Sequence, residues 1–186
     1  MIPQKQIRAV FNDKTIRVYQ AFSPVIADEA VRLGTFGEHF SLDRMTWIKP
    51  SFLWMMYRCS WAEKTGQERV LAIDVKRAGF DYAVKNAVAS TQRASGMSED
   101  LWKKEIALSD IRVQWDPEKD VWGNSLPCRS IQLGLRGQAV RDYVRDWIVK
   151  ITDITEFVKE LNKKRNIGKD ISDFLPKENV YLNLEV

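Results

Sequence analysis

Apolar residues recur along this chain with two periods, two in some stretches and about 3.6 in others, and these periods divide it into strands and helices. Residues 7–11 and 15–22 are extended runs on either side of Asn12-Asp13-Lys14 and predict a hairpin. Ser23 and Pro24 open a helix as N-cap and first residue; Ile26, Ala30 and Leu33 share its face and Gly34 closes it. Residues 44–48 are extended, and Pro50 holds Lys49 extended as well. Residues 51–62 predict a helix that is apolar almost all round, the pattern of a buried helix, with Trp54 and Met55 inside. Gly66 breaks the chain before a strong strand over 69–75, and a helix follows through Phe80, Val84, Ala87 and Val88.

Turn-forming residues over 90–98 and 116–127 predict loops. Between them Ser98 caps a helix through Leu101, Trp102 and Ile106, and Ile111, Val113 and Trp115 alternate as a strand. A strand over 129–135 sets Ile131, Leu133 and Leu135 on one face. Residues 137–148 show the clearest amphipathic stripe, Ala139, Val140, Tyr143, Val144, Trp147 and Ile148, and predict a helix. A short strand near 149–152 follows, then a helix through Phe157, Val158 and Leu161 with Asp153 and Glu156 at capping-box spacing. An alternating strand over 180–186 ends the chain. Strands with one polar face imply an antiparallel or mixed sheet, and irregularly spaced helices argue against a doubly wound fold, so the class is α+β. The 186 residues, without repeats or linkers, predict a single domain over 1–186.

Composition narrows the chemistry. Cys59 and Cys128 stand in no C-x-x-C pair, so a disulfide framework or zinc ribbon is not expected. The single histidine, His39, excludes multi-histidine metal sites, and no metal is expected. The start of the chain lacks a secretory pattern, and the apolar run 52–57 is far short of a membrane span, so a cytoplasmic protein with no membrane partner is expected. The net charge of +4 permits an anionic ligand such as a nucleotide or RNA without requiring one.

Four places carry candidate chemistry. Gln20 shares a strand face with Ile16, Val18 and Phe22, and a polar residue there bonds neighbouring backbone or faces a ligand. The segment 44–58 sets Arg44, Lys49 and Arg58 beside tryptophans that recur every seven residues, Trp47, Trp54 and Trp61. With a helix N-terminus at Ser51, that combination suits a phosphate and a stacked base; the alternative is aromatic core with solvated basic residues. Gln67-Glu68-Arg69 at the entry of a strand, and Arg129 with Gln132 on the polar side of a late strand, are weaker candidates. No glycine-rich nucleotide loop occurs.

Through Val18-Tyr19-Gln20-Ala21-Phe22, the segment 44–58, residues 67–73 and residues 129–135, the chain resembles the uncharacterised bacterial and fungal family called domain of unknown function 4291. It is more distantly similar to ADP-ribosyltransferases and their RNA 2'-phosphotransferase relatives. In that comparison Tyr19-Gln20-Ala21-Phe22-Ser23-Pro24 stands for the first strand and helix, with Gln20 in place of the ligand-facing basic residue. Residues 46–57 are similar to a later segment, and Gln132 stands where a late-strand glutamate belongs. This likeness implies an ADP-ribosyltransferase-like topology that binds NAD or another nucleotide. Tyr19, Arg44, Thr46, Trp47, Lys49, Ser51, Arg58, Arg129 and Gln132 would then be ligand contacts, and Glu68 and Gln20 the catalytic pair. Two alternatives stay open: a non-enzymatic RNA- or nucleotide-binding module using the same residues, and a scaffold whose aromatic segment is core.

Overall fold

A computed structural model describes residues 5–182. Its centre is an antiparallel sheet of β2 (Thr15–Phe22), β4 (Arg69–Lys76) and β8 (Ile148–Asp153), in the order β2-β4-β8. Both faces of this sheet are covered, which is why β4 reads as an almost unbroken apolar run rather than an alternation. On one face Ile16, Val18, Leu71, Ile73 and Val75 join the larger core. That core is completed by α1 (Pro24–Leu33), α3 (Arg77–Lys85) and α6 (Gly137–Asp142). On the other face Tyr19, Val70 and Ala72 meet α2 (Phe52–Arg58) and α7 (Thr155–Asn166) in a second core.

A second sheet has the order β3 (Thr46–Ile48), β7 (Ser125–Leu135), β6 (Ile111–Lys119) and β5 (Val88–Ala89), antiparallel except for the β5–β6 pair. Its apolar face, with Ile48, Ile111, Ile131, Leu133 and Leu135, closes the larger core. The two sheets are linked where the Tyr19 N–H donates to the Lys49 carbonyl at 2.7 Å. The short helices α4 (Gln92–Ser95) and α5 (Glu99–Leu108) lie in the crossover between β5 and β6. A third sheet pairs β1 (Ile7–Ala9) with β9 (Asn179–Leu182). The fold is α+β with mixed, mainly antiparallel sheets, as the patterning predicts.

Several expectations need correction. The first two runs do turn at Asn12, whose side-chain oxygen accepts from the Lys14 and Thr15 N–H groups. However, β1 ladders with β9, because the distant strand offers a full pairing edge and the turn leaves only the Phe11–Ile16 bridge. Leu33 is exposed, and the inner face of α1 is Ala27 and Ala30. The helix expected over 51–62 stops at Arg58, since Ser60, Trp61 and Ala62 take three successive left-handed conformations. It is not buried all round: Phe52, Met55 and Met56 face inward, while Trp54 is half-buried.

Residues 116–127 form a long hairpin rather than a loop, turning at Asp120, which accepts the Trp122 and Asn124 N–H groups. Pro117 and Pro127 are tolerated because β5 and β3 pair with other parts of β6 and β7, leaving these edges open. The helix expected over 137–148 becomes a π-turn at Tyr143–Trp147, after which Ile148 begins β8. The wider turn keeps both Tyr143 and Trp147 buried. Trp147 lies so close to α3 that a Cβ on Gly79 would stand 2.5 Å from its ring, which is why glycine is needed there. Residues 183–186 of the last expected strand lie outside the described residues.

Candidate functional site: a cationic cavity between two sheets

The end of β2, the strand β3, the helix α2 and the loop before β3 enclose a cavity of about 400 Å3. Its basic residues are Arg44 from the loop, Lys49 just after β3 and Arg58 from the last turn of α2, with His39 at the edge. Among the described residues, no aspartate or glutamate lines it. Among the described residues, neither Arg44 nor Arg58 forms a salt bridge.

Lys49 is the most unusual member. Pro50 and the Tyr19 bridge fix its backbone, and its side chain runs inward until only 6% of the residue is exposed. Its Nζ donates to the Trp47 carbonyl at 3.2 Å and stands 5.3 Å from the centre of the Trp54 ring. Burial, reinforced by the Arg58 charge, pushes its pKa down to about 7, with the Asp116 charge acting in the opposite direction. Trp47 lies half-buried over β7, where a Cβ on Gly134 would come within 3.0 Å of the indole and 2.6 Å of the Met45 sulfur. Only glycine leaves room for both.

Gln20 reaches the same cavity, but its hydrogen bonds hold the frame together. Its Nε2 donates to Thr46 Oγ1 at 2.7 Å and to the Trp47 carbonyl at 3.1 Å. Its Oε1 accepts from the Tyr143 hydroxyl at 2.8 Å. One buried amide therefore ties β2, β3 and the π-turn, and Thr46 serves as a partner in that tie. Burial raises the Tyr143 pKa well above the ordinary tyrosine value, so the hydroxyl stays a donor.

The structure thus brings together Gln20, Arg44, Thr46, Trp47, Lys49 and Arg58 of the residues singled out from the sequence. The others lie elsewhere. Tyr19 points into the second core, packed edge-on against Phe52 with ring centres 5.4 Å apart. Ser51 caps α2, accepting from the Trp54 N–H at 3.2 Å, and donates to Glu118 Oε1 at 2.8 Å beside a separate cavity. Glu68 accepts the Gly66 N–H at 2.8 Å within its own turn; Gly66 and Gln67 line the cationic cavity and Glu68 does not. Arg129 donates to the Trp115 carbonyl at 3.1 Å and, with Lys5 and Arg93, lines an open groove of about 760 Å3.

Gln132 lies on the face of β7 shared with Gly134, and its Nε2 donates to Asp116 Oδ2 at 2.7 Å. Gln114 donates to the other oxygen at 2.8 Å. Asp116 is therefore a carboxylate clamped by two amides, and its charge is felt at Lys49. Sequence reading missed it because 116–127 looked like a loop. The available signal was the alternation of Gln114 and Asp116, which has meaning only once β6 is known to extend that far. His39 was also passed over: Glu29 accepts its backbone N–H at 3.0 Å and stands 3.2 Å from Nδ1, which steadies it beside the cavity. Glu29, Glu38 and His39 bring potential metal-ligating atoms within 4.8 Å of one another, but their mutual hydrogen bonds account for the grouping.

The chain belongs to the family described as Domain of unknown function (DUF4291), whose model matches residues 6–181. No curated protein matches it. Among the described residues no helix is long and apolar enough to cross a membrane.

Proposed function

We propose that this member of the family binds a phosphorylated ligand of nucleotide type, NAD among the candidates, in the cavity of Arg44, Trp47, Lys49 and Arg58. The observation that carries the reading is the wall itself: three basic side chains and no carboxylate. Arg44 and Arg58 stand exposed at this cavity, and the Arg58 charge acts on the buried Lys49; a bound anion would complement these groups. Arginine presents a planar fork suited to phosphate oxygens. The half-buried Trp47 offers an aromatic surface for a base, worth about 1–3 kcal/mol where such stacking has been measured. A volume of about 400 Å3 is ordinary for a small-molecule site.

ADP-ribosyl transfer is not part of the proposal. It develops positive charge on the ribose as nicotinamide leaves, and this wall offers no carboxylate to meet that charge. A second reading, single-stranded RNA along the open groove of Lys5, Arg93, Trp115 and Arg129, rests on the basic and aromatic lining of that groove.

Thermal unfolding with ATP, NAD and a short RNA tests the reading. A ligand at a hundred times its Kd stabilises by about 2.7 kcal/mol, which should raise Tm by roughly 5–10 °C for a chain of this size. Arg44→Ala with Arg58→Ala should remove the shift given by ATP or NAD. No shift with either nucleotide, at any concentration up to the millimolar range, would sink the proposal. A shift with RNA alone that Arg129→Ala abolishes would establish the second reading in its place.

A further inference from the structure

Lys49 differs from the lysines on the surface of this protein. Lys76, Lys103 and Lys159 each reach a carboxylate at the exposed surface, Asp146, Glu99 and Glu156 respectively. Lys49 is enclosed, lines a cavity, and spends a single N–H on a carbonyl, that of Trp47. A neutral amine so held has its lone pair unengaged, and a buried amine with no paired carboxylate is the arrangement that favours the neutral form.

We infer that Lys49 is a nucleophilic amine that condenses with the carbonyl carbon of a phosphorylated aldehyde or ketone bound in this cavity. The inference rests only on the anion-binding part of the reading above, and takes a phosphorylated carbonyl compound as a second ligand of the same cavity that competes with the nucleotide. The Nζ lone pair forms a C–N bond as the carbonyl π electrons pass to oxygen. Loss of that oxygen as water, with the two hydrogens of the amine, leaves an imine; no oxidant or reductant is required. Arg44 and Arg58, on the same wall, are the groups for the phosphate.

The charged and titratable groups that bear on Nζ are Arg58 and Cys59 from the end of α2 and Asp116 from β6. Arg58 and burial favour the free amine, whereas Asp116 favours the protonated amine and, by the same sign, a protonated imine. Burial also raises the Cys59 thiol pKa, so that group stays neutral.

Pyridoxal phosphate is a suitable probe because it carries both a phosphate and an aldehyde. The 186-residue chain is incubated with it near pH 7.5, reduced with borohydride, and mapped by peptide mass spectrometry. An ordinary exposed lysine is unprotonated in roughly one molecule per thousand at that pH. Lys49 should therefore carry at least about tenfold more label than any surface lysine, even after allowing for the lower nucleophilicity of a weaker base. Labelling should rise with pH through a midpoint near 7, and an excess of ATP should suppress it. Lys49→Met, which removes the amine and leaves no buried charge, should abolish the adduct without lowering Tm. If that variant does not fold, the site map of the unmodified chain decides alone.

Label spread over surface lysines with Lys49 unmodified overturns the inference, while ATP binding in the same sample would leave the anion reading intact. If plain pyridoxal, lacking the phosphate, labels Lys49 equally well, Lys49 is a nucleophile but the phosphate requirement is overturned.

Discussion

Lys49 and Ser51 stand two residues apart, on either side of Pro50, and face two cavities of different electrical character. Among the described residues, the Lys49 cavity is lined by three basic residues and no acid. The Ser51 cavity, of about 260 Å3, sets Glu118 and Glu178 beside Arg8 and Lys119, so acidic and basic groups share its wall. Burial has the same kind of effect in both, with opposite sign. It lowers the Lys49 pKa to about 7 and raises that of Glu178 to about 8, each toward its neutral form. Glu178 already accepts the Phe52 N–H at 2.7 Å and repels Glu118. Its environment is filled by the protein's own groups, whereas that of Lys49 is left for something from outside. Charge balance, more than size, distinguishes a cavity that can be explained internally from one that cannot.

The largest effect that sharpens this contrast is expected at Lys49. Its folded pKa is depressed, so its contribution to stability is complete above the unfolded value near 10.5 and is lost as the pH falls through 7. Unfolding free energy should rise between pH 7 and 10, by an amount on the order of 4 kcal/mol before other groups are counted. Lys49→Met should flatten that rise and stabilise the unliganded protein at pH 7, as read by urea denaturation. An unchanged slope would show that Lys49 is solvated and that the cavity wall is misjudged.

An effect of comparable size and opposite sign is expected at Glu178. Its folded pKa is raised, so its contribution is complete below the unfolded value near 4.5 and is lost as the pH rises through 8. Glu178→Gln should remove a decline in stability over that window and leave ATP binding as it was. Loss of nucleotide binding in this variant would mean that the two cavities act as one. The smallest effect is at Ser51. Removing its capping oxygen with Ser51→Ala should cost about 1 kcal/mol, the ordinary worth of an N-cap, again without touching the ATP-dependent shift in Tm.

The sequence made part of the site legible. Arg44, Trp47, Lys49 and Arg58 lie within fifteen residues, and the fold sets all four around one cavity. The buried polar position of Gln20 was also visible as a break in an apolar face, and its bonds to Thr46, Trp47 and Tyr143 explain it. Asp116 was hidden because prolines at 117 and 127 look like loop chemistry unless the strand edges are known to be free. The end of the helix at Arg58 was hidden as well, since no glycine marks the left-handed turn at Ser60, Trp61 and Ala62. The compensation is one local bond, the Trp61 N–H donating to the Met56 carbonyl at 2.8 Å, and one tertiary contact, the Arg165 guanidinium 4.8 Å from the Trp61 ring centre.

By itself, then, the sequence determined the α+β class, the strong strand β4, the caps at Ser51 and Ser98, and the basic and aromatic character of residues 44–58. Those properties are local, because periodicity, capping and residue type need no knowledge of what lies across the chain. Only the tertiary structure decided that Ser51 faces away from Lys49, that Glu68 closes its own turn, and that no acid among the described residues lines the Lys49 cavity. Side chains two residues apart on an extended segment share a face only while the segment stays flat. The bend at Pro50, with the Lys49 carbonyl held by Tyr19 on one side and α2 beginning on the other, sends them to opposite sides.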